Sequence, residues 1–414
     1  MSRTVASLNA DRGTYWLSNA IQSHSPLIWR KRNRNLWIFS SWEGMRYADN
    51  SKYLFEWVRS NHPEIECYWQ TKDEALWSKL LDNGIPAQLI GSAAAEKTQR
   101  EAGVCICTHG VDDFGFKPSI YGALTVFLGH GPIAKRCWRS QRDVLQISKL
   151  RGLLSDSKWK FFNYMKAGAY LACSDFEEKA LREALMISRK IPFVRSGLPR
   201  NDALIDRYPP SEVFSHTFLS DYPDIVGKRI ALYMPTFRKE KDAVVTGALQ
   251  ELANNRRFID EMDRLDAVLV CKMHYLSDVS RVVESSGLVL ARDEDVLDVQ
   301  RLMANSDFLA TDYSSCAIDF ALTLRPTCYF YPDGEVQSDE TPMLDEFFAA
   351  SSINRALDLE SFISALISDL EGMGLGEKQS EALNLKFNSE VDHLGGFCES
   401  TYDGIRLILK GERR

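Results

Sequence analysis

Short, almost unbroken apolar runs alternate with longer amphipathic stretches nearly throughout this chain, and no other property of the sequence restricts its fold so strongly. A strand buried on both faces reads as a continuous apolar run, and the crossover to a parallel neighbour is usually a helix. The alternation therefore predicts parallel sheets covered by helices. In the first half, strands are predicted at Leu36–Ser40, Glu66–Gln70, Gln88–Ile90, Val104–Thr108, Leu124–Leu128, Tyr170–Cys173 and Phe193–Arg195. Helices are predicted over Ser51–Arg59, Asp73–Leu81 and Phe176–Met186. The pattern restarts after the proline-containing stretches Tyr208-Pro209-Pro210-Ser211 and Tyr222-Pro223, with strands at Ile230–Met234, Ala267–Cys271, Leu288–Leu290, Asp307–Ala310 and Thr327–Tyr331. At 414 residues the chain exceeds one ordinary core. It reads as α/β with two Rossmann-like halves, residues 1–205 and 206–414, and a last helix near Thr401–Leu409 able to pack on either half.

Composition removes several classes of protein. Hydrophobic residues make up 45% and charged residues 26%, the balance of a folded chain. The nine cysteines are scattered, with Cys105 and Cys107 the one close pair, so neither a zinc spacing nor a disulfide framework is visible. A reducing cytosolic compartment is expected. No apolar run has the length of a signal peptide or a spanning helix, so the chain is expected to be neither secreted by a standard route nor membrane-spanning.

The net charge of -7 is unevenly spread. Between His130 and Lys166 stand Lys135, Arg136, Arg139, Arg142, Lys149, Arg151, Lys158, Lys160 and Lys166 against Asp143 and Asp156, interleaved with Trp138, Trp159, Phe161, Phe162 and Tyr164. A second patch runs from Trp29 to Arg34. Basic residues among aromatics suit an anionic lipid surface or a polyanionic acceptor, and equally a solvated basic face whose aromatics belong to the core.

Ligands of open parallel sheets bind beyond the carboxyl ends of the strands, here in the cleft expected between the two halves. Polar clusters stand at five such ends. His130-Gly131-Pro132 follows Val126–Leu128, and Ser196–Asp202 follows Phe193-Val194. Pro235-Thr236-Phe237-Arg238 follows Leu232–Met234, Lys272-Met273-His274 follows Val268–Val270, and Asp312-Tyr313-Ser314-Ser315 follows Phe308–Ala310. In the last cluster Asp312, Ser314 and Ser315 offer an N-cap before a helical stretch Ala317–Leu324, whose first N–H groups suit an anion. Two serines that merely cap a core helix fit the same pattern. His130, on a turn stiffened by Gly131 and Pro132, can take a proton from an attacking hydroxyl near neutral pH, or serve as a structural histidine. Lys272 and His274 alternate on an extended segment and so share a face, which calls for an anion. Arg238 supplies a planar fork for phosphate, or for one of the chain's many acids. Protein cations and a helix dipole can compensate the donor's charge, so no obligatory metal is expected, although Mg²⁺ stays an option.

These blocks resemble, in order, the CDP-glycerol glycerophosphotransferase family, the teichoic-acid primases, polymerases and related capsule polymer synthases. The resemblance runs from about Leu36 to Asp333. It includes Trp42-Glu43-Gly44 with Asp49–Leu54, Gly129–Pro132 with Lys135, Ser174–Phe176, Gly197–Asp202, Tyr233–Arg238, Lys272–His274, and Thr311–Ser315 with Asp319-Phe320 and Arg325-Pro326. It implies a GT-B architecture and transfer of a polyol phosphate from CDP-glycerol or CDP-ribitol to a hydroxyl of a polymer or lipid-linked acceptor, releasing CMP. On that likeness His130 is the base and His274 lies at the donor diphosphate. Gly131, Arg200, Asn201, Thr236, Arg238, Lys272, Asp312, Ser314, Ser315 and Asp319 are expected to bind substrate or support its site. Where family members often carry Thr-Pro after His-Gly, this chain has Pro132-Ile133. The chain is shorter than the large polymerases and reads as closer to a single catalytic unit. It is expected to be cytoplasmic and peripheral at the inner membrane face, without a nucleic-acid partner. Two other readings compete: a nucleotide-sugar glycosyltransferase of the same architecture, since fold does not fix chemistry, and a non-enzymatic binder of polyanions or lipid surfaces.

Overall fold

A computed structural model describes residues 32–115, 118–120, 122–137, 140, 168–236, 242–273, 282–332, 334, 342–389, 391 and 395–411. Most of the basic and aromatic segment before Lys166, part of the Trp29–Arg34 patch, and the site candidates Arg238 and His274 lie outside the described residues. The chain forms two compact units. Unit 1 takes residues through His130, Trp138–Asp202 and Gly396 onward; unit 2 takes Gly131–Cys137 and Ala203–Gly395.

Unit 1 holds a seven-stranded sheet in the order β3-β2-β1-β4-β5-β6-β7. Its strands are β1 (Asn33–Phe39), β2 (Glu66–Thr71), β3 (Ala87–Leu89), β4 (Ala102–Cys107), β5 (Leu124–Phe127), β6 (Ala169–Ala172) and β7 (Phe193–Arg195). Every neighbour pair is parallel. Order reverses between β1 and β4, the switch point at which doubly wound sheets place ligands. One core cluster gathers Leu36, Ile38, Cys105, Cys107, Phe114, Phe127, Tyr170 and Leu185. Trp37, also fully buried, stacks toward Tyr402 at 5.6 Å between ring centroids.

That tyrosine belongs to the C-terminal helix Phe397–Lys410, which joins unit 1. Gly404 lets it approach β7 closely, because a Cβ there would lie 2.6 Å from Val194 Cγ1. Its start is fixed by Asp202, whose carboxylate accepts from Phe397 N at 2.8 Å and from Cys398 N at 2.9 Å. A carboxylate on the first N–H groups of a helix satisfies orphan donors and favours the helix dipole. Asp202→Ala is expected to cost about 1–2 kcal/mol, read as a lower thermal unfolding midpoint, with Asp202→Asn in between.

Unit 2 holds a six-stranded parallel sheet in the order β10-β9-β8-β11-β12-β13. The strands are β8 (Arg229–Met234), β9 (Ala267–Lys272), β10 (Leu288–Ala291), β11 (Phe308–Thr311), β12 (Thr327–Phe330) and β13 (Arg355–Ala356). Its core gathers Tyr233, Leu249, Phe258, Met262, Leu269, Phe330 and Phe362, with Phe330 and Phe362 stacked at 4.3 Å. Gly131–Cys137 lies along this unit: Arg136 N donates to Pro342 O at 2.8 Å and Leu344 N to Ala134 O at 3.0 Å. The single boundary at 205/206 read from the sequence thus gives way to several chain exchanges, at His130/Gly131, Cys137/Trp138, Asp202/Ala203 and Gly395/Gly396.

Candidate active site

In unit 1 the polar turns after β1 and β4 meet at Asp113, and the turn after β5 carries His130 beside them. Its carboxylate is fully buried and accepts three backbone N–H groups: Glu43 N on Oδ1 at 2.7 Å, and Thr108 N and His109 N on Oδ2 at 2.8 and 3.0 Å. Burial raises the Asp113 pKa to about 6 although all three bonds pull it down. Ser40 Oγ adds a 2.8 Å bond to the Asp113 carbonyl, joining the same two turns.

This clamp supports an unusual backbone. Trp42, Glu43 and Asp49 all have positive φ, at 50°, 56° and 67°. Such residues cost on the order of 1 kcal/mol each and persist where their surroundings over-determine them. Here Trp42 N donates to Thr108 Oγ1 at 3.3 Å and Trp42 Nε1 to Asp49 Oδ2 at 3.2 Å. Gly44, at φ 82°, follows where a Cβ would come within 2.9 Å of the Asp113 carbonyl.

The result is a row of rings. Trp42 lies 4.8 Å from His109, and His109 stacks on His130 at 4.4 Å with an interplanar angle of 13°. His130 follows β5 between Gly129 and Gly131, whose φ angles of 70° and 149° suit glycine and present the imidazole to solvent. Arg200 secures it from below: Nη1 donates to the His130 carbonyl at 2.8 Å and to Asp49 Oδ1 at 2.9 Å. Asn50 completes the frame, donating to Gly129 O at 3.0 Å and accepting from Arg200 N at 3.2 Å. The surrounding protein displaces water around His130 and lowers its pKa, a shift that Arg200 reinforces and Asp49 opposes. His109 is lowered to about 4, by burial first and by His130 second.

Unit 2 brings its expected residues together less completely. Asp312, fully buried after β11, accepts from Thr236 N at 2.9 Å and from Tyr313 N, so it ties the end of β8 to the end of β11. Thr311 Oγ1 reinforces that tie on Met234 O at 2.6 Å. Thr236 Oγ1 is buried and has no hydrogen-bond partner among the described residues. The helix after the serines runs from Cys316 to Ala321, shorter than the stretch 317–324 read from the sequence. Leu324 instead turns into positive φ at 58°. Ser315 sits at the N-cap without a side-chain cap bond, while Ser314 Oγ accepts from Cys316 N at 3.3 Å. Both serines are partly exposed, whereas Asp319 is buried inside the helix.

Lys272 has an acidic neighbour within its own unit. Its ammonium contacts the Asp293 carboxylate and donates to Met273 O at 3.2 Å. Arg200 and Asn201, expected at substrate, are buried, at 9% and 2% exposure. Arg200 frames His130, and Asn201 turns the backbone through a 2.8 Å bond from its N to Leu198 O. Sequence reasoning gave no role to Trp42, Asp49, His109 or Asp113. For His109 the signal is present: Thr108-His109-Gly110 follows an apolar run just as His130-Gly131 does. Among the described residues, no group of three or more His, Cys, Asp or Glu is arranged to hold a metal ion.

Residues 23–392 match the family model described as CDP-Glycerol:Poly(glycerophosphate) glycerophosphotransferase. The chain belongs to that family. It is 25% identical over 333 residues to the teichoic acid glycerol-phosphate transferase of Staphylococcus aureus (strain NCTC 8325 / PS 47), covering 78% of this chain and 81% of that one. It is 25% identical over 326 residues to the teichoic acid poly(glycerol phosphate) polymerase of Bacillus subtilis (strain 168), covering 73% of this chain but 39% of that longer one. A third relative, the teichoic acid ribitol-phosphate primase of Bacillus spizizenii (strain ATCC 23059 / NRRL B-14472 / W23), is 29% identical over 220 residues, 51% of this chain and 52% of that one. Among solved structures, the wall teichoic acid polymerase TagF superposes with a TM-score of 0.66 at 18% identity, over 97% of this chain and 93% of that one. S. aureus MnaA with UDP gives 0.55 at 13% identity, over 92% and 98%. The fold is GT-B-like, and family membership makes the chain a glycerophosphotransferase-type enzyme.

Proposed function

We propose that this protein transfers a polyol phosphate from CDP-glycerol or CDP-ribitol to a hydroxyl of a teichoic-acid-like or capsular polymer, or of a lipid-linked acceptor, and releases CMP. The observation that carries the reading is the family match across residues 23–392. The relatives named for glycerol phosphate and for ribitol phosphate support both donors.

In this reading His130 takes the proton of the acceptor hydroxyl. The acceptor oxygen forms a bond to the phosphorus that carries the polyol, and the bond from that phosphorus to the bridging oxygen breaks. CMP leaves with the electron pair. A depressed pKa suits the base, because it stays unprotonated through neutral pH. Thr236, Ser314 and Ser315 are the proposed hydroxyl contacts to the donor, with Arg238, Lys272 and His274 as its cationic partners. Asp312 holds the backbone beneath them, Asp319 is the proposed support of the helix turn, and Arg200 and Gly131 shape the turn that carries His130. The basic and aromatic segment before Lys166 supports peripheral contact with an anionic membrane at the cytoplasmic face.

A panel of CDP-glycerol, CDP-ribitol and UDP- and GDP-sugars, offered with a polyol-phosphate or lipid-linked acceptor, tests the reading. CMP is expected from at least one CDP-polyol, and no nucleoside diphosphate from any sugar donor. The opposite pattern would make the protein a sugar transferase.

A further inference from the structure

His109 is the titratable ring in the row that the reaction above does not use. It stands at the end of β4, half-buried between Trp42 and His130, and lies nearly parallel to the latter at 4.4 Å. Three contacts fix it. Its backbone N–H donates to Asp113, its Nδ1 lies 2.9 Å from Thr108 Oγ1, and its ring is covered by Trp42. The Thr108 hydroxyl accepts from Trp42 N and also pairs with Nδ1, so one side chain ties the Trp42 backbone to the His109 ring.

We propose that His109 is a positioning residue for the base: lying flat on His130, it keeps water off one face of that imidazole and remains the uncharged member of the pair, so that the acceptor's proton goes to His130 alone. The inference rests on His130 being the base of the reaction proposed above. Two stacked imidazoles do not both take a proton cheaply, whereas a neutral ring face accommodates an imidazolium. The charged neighbours agree with that division. Asp49, on the helix Asp49–Asn61, favours a cation on either ring; Arg200, on the turn after β7, opposes one on His130. Asp113 meets His109 through the backbone N–H, and the ammonium of Lys72 at the end of β2 bonds the carbonyls of Glu43 and Asp112. The burial that lowers the His109 pKa to about 4 then keeps it neutral through the working range.

His109→Ala and His109→Phe separate this role from simple packing. The ring-proton titration of His130, followed by NMR on the resting protein, requires no substrate. In the native protein its midpoint should lie below the usual value of about 6.5. In His109→Ala, where water reaches the exposed face, it should rise toward that value; in His109→Phe it should stay low. In turnover with a CDP-polyol, His109→Ala should lower kcat about 10-fold with an unchanged KM for the donor, and should move the acid limb of the pH profile upward. His109→Phe should stay within about 3-fold of native activity. A His130 midpoint that is the same in His109→Ala as in the native protein overturns the inference. If the native protein turns over neither CDP-polyol, the functional reading fails, and the titration still decides whether the pair behaves as described.

Discussion

His130→Ala is expected to lower CMP release from a CDP-polyol by about 1000-fold, within the 10²–10⁴ that loss of a general base brings. Arg200 and Asn50 hold the His130 turn through backbone carbonyls that the substitution leaves in place, and the ring itself gives up one bond to the Thr108 backbone. The variant should therefore fold as the native protein does and bind CDP-polyol with unchanged affinity, measured by calorimetry. His130→Gln, which can hydrogen-bond but cannot take the proton, should be about as inactive. A variant with near-native turnover would remove His130 from the mechanism.

The second large effect is on stability. Asp113→Ala leaves three backbone N–H groups, from Glu43, Thr108 and His109, without their acceptor in a buried site. At about 1–3 kcal/mol for each buried donor left unsatisfied, partly relieved by water, the expected loss is about 3–5 kcal/mol. That corresponds to roughly 10 °C in the thermal midpoint for a domain of this size. Trp42 and Glu43 lose the clamp that holds their left-handed backbone, so activity should fall with stability. Asp113 also has a pH signature of definite sign. Its pKa is raised from 3.8 to about 6, so the folded state keeps a proton that the unfolded chain has released between those values. Its contribution to stability therefore falls as pH rises through that window. Asp113→Asn should abolish this component while keeping part of the clamp.

The strands were legible because parallel strands buried on both faces must read as apolar runs. Val268-Leu269-Val270 and Leu232 beside Tyr233 admit no other pattern in a sheet covered by helices. The two-residue β13 was not, since Arg355-Ala356 has no pattern to show and is a strand through its pairing with β12. The C-terminal helix was legible as a helix but not in its allegiance. What assigns it is Asp202 on Phe397 and Cys398, a contact across almost half the chain that no local pattern encodes. His130 stood out through its glycines. His109 carries a similar mark, yet its meaning lies in a stacking geometry that needs the β4 and β5 ends to be neighbours. Lys272 shows what a local pattern omits: its alternation with His274 calls for an anion, and the fold also sets Asp293 against its ammonium, a contact that no spacing encodes.

The most direct test is phosphorus NMR of the purified full chain incubated with CDP-glycerol or CDP-ribitol and a polyol-phosphate or lipid-linked acceptor. The paired diphosphate resonances of the donor should decay into equal amounts of a CMP monoester and a new phosphodiester in the product. Appearance of CDP in place of CMP, or of CMP and free polyol phosphate without the diester, would contradict transfer of the polyol phosphate.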